Sequence, residues 1–268
     1  MFRWLPMLVV ACWALAAMWG YLVSDGANQV HLQHILEPPG SAGLLGFDDL
    51  GRPVLERLLA GARTSFLVAF GVVALSLLVG VSVGLFAAYR GGWPELLLMR
   101  VIDIFMAFPG ILLAIALAGV MGPGLDNLII ALSVVGWVGY ARLVRGQVLS
   151  LKRRDHVTAA IALGSSTGYI LIRHLLPLLM APLIVEATFG IAGMVIAEAG
   201  LSFLGLGVQP PDASWGSMIR DGASYMLVAP HLVLAPGLAM VLVVLSLNLL
   251  GDRLRDRLDI RLATVRKR

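Results

Sequence analysis

Four long stretches of this 268-residue chain contain no Asp, Glu, Lys or Arg. A helix needs roughly 20 apolar residues to cross the hydrocarbon core of a bilayer. Two further stretches are interrupted once, by Asp126 at the start of 125–141 and by Glu186 within 178–197. Only 13% of the residues are charged, about half the share in soluble proteins. The pattern predicts an all-α membrane protein, a polytopic helical bundle of about six transmembrane helices, with the uninterrupted stretches at 5–23, 66–88, 104–121 and 226–250.

The distribution of Lys and Arg predicts how the chain is oriented. If the N terminus lies inside, only four of the 20 Lys and Arg residues fall on the outer side, namely Arg52, Arg57, Arg63 and Arg220. Cytoplasmic loops carry the excess of these residues, so the N and C termini are both predicted to be cytoplasmic. The net charge of +4 is then explained by topology and contact with membrane lipid, and no nucleic-acid partner is expected.

The chain is predicted to divide into a first transmembrane helix, 1–23, an extracytoplasmic segment, 24–65, and a core domain, 66–268, with a polar loop at 150–177. Arg3 and Ala14-Leu15-Ala16 would also fit a secretory signal peptide with a small-residue cleavage site. Because the apolar run continues to spanning length, we expect residues 1–23 to be retained. Cys12 is the single cysteine, so no disulfide framework is possible within the chain.

The second half of the extracytoplasmic segment is predicted to be an amphipathic helix that leads into the second span. Leu55, Leu58 and Leu59 recur at helical spacing, and Glu56 and Arg57 lie opposite them together with Arg63. This alternation is typical of a helix with one apolar and one solvated face.

Helix-deforming residues lie within several predicted spans. Pro109-Gly110 interrupts the third stretch, Pro182 lies in the fifth, and Pro230 and Pro236 mark the start of the last. In a bilayer Pro kinks helices and Gly lets two helices approach closely. These residues suit a packed bundle around a pathway, but they are equally typical of other polytopic proteins.

Three carboxylates are expected at or near membrane depth, where a charge is costly and usually faces a cavity or a partner. Asp103 follows Arg100 by three residues, which allows an ion pair within one helix. Glu186 has no sequence-local partner, so protonation, a pair across a subunit interface and a place along a pathway all stay open. Glu198 is expected near the outer face. Asp103, Glu186 and Glu198 are therefore candidate pathway or interface residues.

Motifs for covalent chemistry are missing. The two lysines, Lys152 and Lys267, do not follow a glycine, which excludes the G-x-x-x-x-G-K-[ST] loop that binds ATP phosphates. The chain also has no HExxH helix and no cluster of His, Cys and carboxylates at metal-ligand spacing. We expect no enzymatic activity, no catalytic or metal site and no cofactor on this chain.

The polar loop at 150–177 has a helix–Gly–helix pattern between two spans. Thr158-Ala159-Ala160 precedes Gly164 by three intervening residues, and nine more separate Gly164 from His174-Leu175-Leu176-Pro177. The alanines predict a short helix with a slim profile, and Gly164 can end it with a positive φ. Ser165 or Ser166 can cap the next helix, and Pro177 suits the start of the fifth span.

The loop resembles the segment by which the membrane subunit of a bacterial ABC importer docks onto its ATPase. The family pattern is E-A-A, three residues, Gly, nine residues, then I-x-L-P. Here Thr158 replaces the Glu and His174 replaces the Ile, and the spacing is unchanged. The loop, Thr158, Ala159, Ala160, Gly164, His174 and Pro177, is therefore predicted to couple this chain to an ATPase, with helix shape carrying most of the docking.

Much of the remaining chain resembles the C-type permease subunits of dipeptide, oligopeptide and nickel ABC importers. Asp49-Leu50-Gly51-Arg52 is similar to their G-T-D-x-x-G-R-D signature, although Phe47 and Pro53 depart from it. Longer matching runs are YARLVRGQVLSLK, RHLLP, AEAGLSFLGLGVQPP and NLLGDRLRDRLD. The resemblance implies a type I ABC importer permease fold in the bacterial plasma (inner) membrane. It also implies a heterodimer with a homologous B-type permease subunit, two ABC ATPase subunits and an extracytoplasmic solute-binding protein.

The resemblance does not fix which solute is carried, because selectivity in this family resides largely in the binding protein. Di- or oligopeptide is the first expectation, and nickel or a metal chelate carried by the same machinery is the alternative. A stand-alone secondary transporter that uses Glu186 or Asp103 as an ion site is a further alternative, but it leaves the loop pattern unexplained. A membrane enzyme would need polar catalytic residues clustered at one interface.

Overall fold

A computed structural model describes residues 4–41 and 43–258, which fold into a bundle of long helices. A single helical turn, Ser24–Ala27, and a 3-10 turn, Leu32–His34, lie between the first two of these. Within the described residues the only strand-like pairing is an isolated bridge between Phe47 and Pro53. The bundle helices are α1 Leu5–Leu22, α2 Val54–Arg90, α3 Gly92–Met106, α4 Gly110–Met121, α5 Leu125–Leu151, α6 Asp155–Ala162, α7 Thr167–Phe203, α8 Trp215–Ala223 and α9 His231–Leu258.

Among the described residues five helices, α1, α2, α5, α7 and α9, are long and apolar enough to cross a membrane. The pair α3 and α4 passes the same test together and is bent by 84°, so the count rises to six if the pair is one broken span. This agrees with the predicted all-α bundle of about six transmembrane helices. The third apolar stretch, 104–121, is divided between α3 and α4.

The bend between α3 and α4 follows from Pro109. Proline lacks an N–H and keeps the residue before it out of the helical region, so α3 ends at Met106 and α4 begins at Gly110. With 12 residues, α4 is about 18 Å long, well short of the roughly 30 Å of a hydrocarbon core. Pro109-Gly110 therefore interrupts this span, as predicted.

Other boundaries differ from the sequence expectation. α2 runs unbroken across the expected division at 65/66, because the amphipathic helix and the second span form one rod of 37 residues. α9 begins at His231, not at 226. Pro230 precedes it, and the residue before a proline is disfavoured in helical geometry, so the helix does not include residues 226–229, of which 226–228 form turns.

Close packing of α2 on α5 forms the centre of the bundle. Gly80 and Gly84 are four residues apart on α2, so they face α5 together. A Cβ added to Gly80 would lie 2.6 Å from the carbonyl oxygen of Trp137, and one on Gly84 would lie 2.8 Å from that of Ala141. The two backbones can approach this closely only because both positions lack a side chain.

α1 belongs to the same bundle. Trp13 is buried in a hydrophobic cluster, with its ring 5.1 Å from that of Phe66 and 6.2 Å from that of Trp215. Gly20 lies directly against the carbonyl of Leu59 on α2. The first helix therefore contributes to the core that α2, α8 and α9 share.

The connections between the helices lie at two ends of the bundle, here named the loop end and the α6 end. At the loop end, formed by residues 24–41, 43–53 and 204–230, Nε1 of Trp215 donates to the oxygen of Leu58 at 3.0 Å. At the α6 end, Nζ of Lys152 donates to the oxygen of Ala88 at 3.1 Å. Arg145 and Glu95 form an ion pair of 2.8 Å there, which joins α5 to α3.

Candidate functional site

α6 lies across the α6 end with one face packed on its own chain. Val157 and Ala160 are buried in a hydrophobic cluster with Leu151, Ile170 and Leu175. Leu151 ends α5, and the other two belong to the first turns of α7. The buried face of α6 is therefore in contact with both neighbouring helices, so a displacement of α6 is passed to α5 and α7 together.

Gly164 ends α6 in the way that the sequence predicts. Its φ is +77°, in the left-handed region that favours glycine. The N–H of Gly164 donates to the oxygen of Ile161 at 2.9 Å, and the N–H of Ser165 donates to that of Ala160 at 3.1 Å. These two bonds form a Schellman motif, which satisfies carbonyls at the end of the helix.

The next helix starts at Ser166 and runs without a break into the membrane-length part of α7. Oγ of Ser166 accepts a hydrogen bond from the N–H of Tyr169 at 3.4 Å, so Ser166, not Ser165, is the cap. Pro177 does not start a separate fifth span, because the helix continues from Thr167 to Phe203. Ile170–Leu175 is a π-helix in which the N–H of Leu176 donates to Leu171. The π-helix directly precedes Pro177. Proline has no N–H to donate, so a regular α-helical hydrogen-bond pattern would be interrupted there.

His174 belongs to a ring cluster that joins the two arms of the loop. Its ring lies 6.0 Å from that of His156 on α6 and 5.6 Å from that of Tyr169. The side chain is half-buried. His174, which replaces the Ile of the family pattern, therefore packs the first part of α7 against α6.

Several apolar side chains of the loop are left uncovered by the rest of the described chain. Thr158 and Ala159 are exposed, as are Ile161, Leu163 with 87% of its surface, and Ile172. A group of exposed large apolar side chains on one surface typically marks an interaction site. One face of this short segment is thus fixed to the bundle while the other is available for a partner.

The three predicted carboxylates lie in different environments. Asp103 and Arg100 are both exposed, and the expected ion pair between them does not form within the described residues. Arg145 supplies the ion pair of this region instead, with Glu95, and those two residues are 50 positions apart in sequence. Glu186 is exposed on the outside of α7, so the surrounding helices of this chain do not enclose it.

Glu198 is the one fully buried carboxylate among the described residues. Its Oε2 accepts a hydrogen bond from Ser65 on α2 at 2.8 Å, and its Oε1 accepts one from Ser202 at 2.7 Å. The start of α8 packs against the same turn of α7, because a Cβ added to Gly216 would meet the backbone of Ala199. Glu198 thus lies where α2, α7 and the start of α8 meet. The i,i+4 spacing to Ser202 is visible in the sequence, whereas the contact with Ser65 across 133 positions is not.

An ionic cluster at the loop end includes the Asp49–Arg52 motif. Asp48 lies 2.6 Å from Arg52 and 3.4 Å from Arg57, and its Oδ1 accepts from the backbone N–H groups of Leu50 and Arg52. Arg57 is therefore buried, and its predicted position on the solvated face of the helix is wrong, because Asp48 draws it inward. Burial and the neighbouring Asp48 carboxylate raise the pKa of Asp49.

Comparison with known proteins gives the family. The family described as "Binding-protein-dependent transport system inner membrane component" matches residues 80–264. The chain belongs to this family. The glutathione transport system permease protein GsiD of Pectobacterium atrosepticum is 41% identical over 95% of this chain and 83% of its own length. The dipeptide transport system permease protein DppC of Alkalihalophilus pseudofirmus is 40% identical over 94% and 84%. The di/tripeptide transport system permease protein DppC of Pseudomonas aeruginosa is 41% identical over 94% and 84%.

Solved structures confirm the predicted fold. An inward-facing crystal form of the MetNI methionine ABC transporter is similar with a TM-score of 0.60 and 21% identity, covering 75% of this chain and 96% of that one. A second inward-facing form gives 0.59. The bundle therefore has the type I ABC importer permease fold. As a member of this family the chain is an inner-membrane permease subunit of an ABC importer, a machine in which separate ATPase subunits hydrolyse ATP.

Proposed function

We propose that this chain is the C-type permease subunit of an importer that carries di- or oligopeptides across the bacterial plasma membrane. The relatives that share about 40% of its residues over nearly its full length are named for glutathione, dipeptide and di/tripeptide transport. These names favour peptide over the nickel or metal chelate that the sequence left open.

The α6 end faces the cytoplasm in this proposal, as do the N and C termini. Arg90, Arg145 and Lys152 all lie at that end, and the positive-inside rule places such residues in the cytoplasm. α1 is retained as a transmembrane helix, since Trp13 fills part of the shared core. The loop end then faces outward, where an extracytoplasmic solute-binding protein would deliver cargo.

The assembly is a heterodimer of this chain with a homologous B-type permease, above two ABC ATPase subunits. α6 and the turn after it dock on one ATPase through the exposed face that contains Ala159 and Leu163. The observation that supports this docking role is the packing of α6, whose inner face is buried against its own chain while apolar side chains on the rest of its surface are exposed. When the ATPase moves on binding and hydrolysing ATP, α6 transmits the motion to α5 and α7 and so switches access to the pathway. Asp103 and Glu186, exposed on this chain, are available to face the pathway or the partner permease.

A charge on the outer face of α6 tests the docking role. Ala159→Glu adds a carboxylate to the exposed face, and we expect the ATPases to be lost from complexes purified in mild detergent. Thr158→Glu is the matched control. It adds the same side chain one residue earlier, where the family pattern has Glu, and should keep the ATPases bound. Ala160 is less suitable because it is buried against its own chain, where a charge would also disturb internal packing.

Normal ATPase recovery with Ala159→Glu would contradict the docking assignment. The same purification of the unaltered chain from its native membrane should recover a homologous permease and two ATPases. Recovery of the chain alone in several detergents would favour a self-sufficient transporter.

The cargo is tested separately by uptake. Cells that lack this chain should lose uptake of a labelled dipeptide and regain it with the unaltered gene. Restored accumulation of nickel without peptide uptake would overturn the peptide assignment and leave the permease assignment intact.

A further inference from the structure

Three consecutive apolar side chains lie uncovered at the loop end, in the turn that connects α8 to α9. Leu227 is fully exposed, and Met226 and Val228 have 53% and 78% of their surface exposed. Connecting segments that face water are usually polar, and a group of exposed large apolar side chains typically marks an interaction site. These three residues, here named the 226–228 tip, therefore form a contact surface that the described part of the chain does not cover.

The tip is held in place by its own turn. The carbonyl oxygen of Tyr225 accepts hydrogen bonds from the N–H of Val228 at 3.0 Å and from that of Ala229 at 2.8 Å. Ala229, the next residue after the tip, is buried in the hydrophobic cluster that contains Trp215. Because these backbone N–H groups are already paired, moving the turn out of water costs less than it would for an open loop.

The length of α9 places the tip at the edge of the hydrocarbon core. From His231 to Leu250 the helix contains no Asp, Glu, Lys or Arg, and at 1.5 Å per residue this part is about 30 Å long, which matches a hydrocarbon core. Its charged residues begin at Asp252. At the other end Nε2 of His231 lies 3.4 Å from the carbonyl oxygen of Phe47. With Asp252 in one headgroup layer, the tip reaches the opposite headgroup layer.

We propose that the 226–228 tip inserts its side chains into the outer leaflet of the bilayer, where headgroups meet acyl chains. The partner is the hydrocarbon of the lipid and not a particular headgroup, because no Asp, Glu, Lys or Arg lies between Asp221 and Asp252. The exposed side chains that share one face of α9 are apolar as well, namely Leu234, Leu238, Val241, Leu245 and Leu249. The outer leaflet follows from the orientation given under Proposed function, whereas the lipid contact does not depend on it.

Depth and composition favour lipid over a solute-binding protein as the partner. Protein interfaces have a polar rim, whereas residues 222–230 contain no charged side chain. A solute-binding protein comes and goes, so an apolar tip that served it would face water whenever the two proteins were apart, which is unfavourable. Lipid is present at the depth of the tip at all times.

Photo-labelling from lipid tests the contact in the unaltered chain. The complex is reconstituted with phosphatidylcholine that carries a diazirine either at the start or at the end of an acyl chain, and the labelled peptides are mapped. We expect the shallow probe to label segment 225–230 and the deep probe to label segment 238–242 instead. If neither probe labels 225–230 while α9 is labelled, the proposal is wrong.

A fluorescent label on the tip distinguishes lipid from water and from protein. In a Cys12→Ser background, Leu227→Cys carries an environment-sensitive fluorophore, and the complex is placed in phospholipid nanodiscs. We expect quenching by lipid that carries a nitroxide at the top of its acyl chain, and none by iodide in the buffer. Ser41→Cys, exposed at the same end, is the matched control and should be quenched by iodide alone.

Two outcomes of the fluorescence experiment would contradict lipid insertion. Equal quenching of both labels by iodide would place the tip in water, and protection of the Leu227→Cys label from both quenchers would show that protein covers it. Because neither the photo-labelling nor the fluorescence measures transport or recovery of the ATPases, failure here leaves the importer assignment untouched.

Discussion

Gly164 is the residue on which the shape of the loop at 150–177, the proposed docking loop, depends most directly. A Cβ at this position would meet no atom within 4 Å, so only its φ of +77° requires glycine. For a residue with a Cβ the left-handed conformation costs roughly 1–2 kcal/mol. That strain would be relieved by opening the turn that orients α6.

Gly164→Ala should therefore lower the thermal stability of the complex and weaken the coupling of ATP hydrolysis to uptake. Gly168→Ala is the matched control. It adds the same methyl group to equally open space but within a helix, where alanine is favoured by roughly 0.5–1 kcal/mol. Equal behaviour of the two variants in a coupled ATPase and uptake assay would show that the left-handed turn is unimportant.

Glu198 gives a second prediction at this scale. Glu198→Ala removes the acceptor of the Ser65 and Ser202 hydroxyls, and each buried group left unsatisfied costs about 1–3 kcal/mol. We expect a clear fall in the melting temperature of the complex in detergent, and a smaller fall for Glu198→Gln, which keeps one acceptor oxygen. Glu186→Ala, at an exposed position of the same helix, should change stability by less than about 0.5 kcal/mol. Equal melting temperatures for the Glu198 and Glu186 variants would contradict the prediction that the hydrogen bonds of Glu198 hold α2 and α7 together.

These residues show what could be predicted from the sequence. The end of α6 at Gly164 followed from spacing and residue type, because a helix stop is a local property. The burial of Arg57 and the Ser65–Glu198 bond could not be predicted, because they depend on which helices become neighbours. Asp103 and Arg100 show that a favourable spacing is not sufficient for an ion pair. Both side chains are exposed, where water solvates each charge separately.

At the scale of helices, the apolar stretches predicted how many spans the chain has better than they predicted where each span begins and ends. Pro109 broke the third span where the sequence indicated, because proline acts through its own backbone. The π-helix before Pro177 was not predicted, because its apolar pattern resembles that of a continuous α-helix. The loop helix and the fifth span are consequently one element, α7, which makes the connection between docking surface and bundle stiffer than two jointed helices would be.

The contact between α2 and α5 gives a prediction for elements. Gly84→Ala would place a Cβ 2.8 Å from a backbone oxygen of α5, so the two helices must separate. Overpacking of this kind costs about 1–3 kcal/mol, which should appear as a lower melting temperature. Gly119→Ala on α4 is the control, since nothing lies within 4 Å of that position, and it should not destabilise the bundle. An unchanged melting temperature for Gly84→Ala would contradict close packing of these helices.

At the scale of the whole molecule, the two ends must face opposite compartments for the importer to work. Under the proposed function, the α6 loop must lie on the side where ATP is available, and a solute-binding protein would meet the loop end. Ser41 at the loop end and Ala159 at the α6 end are both exposed. Cys12, the single native cysteine, is exposed on α1. A Cys12→Ser background therefore allows one new thiol to report on each end.

We expect a membrane-impermeant thiol reagent to label Ser41→Cys in intact cells and to label Ala159→Cys only after the inner membrane is permeabilised. The physical reason is the excess of Lys and Arg at the α6 end, which resists transfer across the membrane. Ser41→Cys should also be labelled in permeabilised cells, which controls for thiol reactivity. Labelling of Ala159→Cys in intact cells, with Ser41→Cys protected, would place α6 outside. That result would remove the docking role of α6, while the fold and the family would stand.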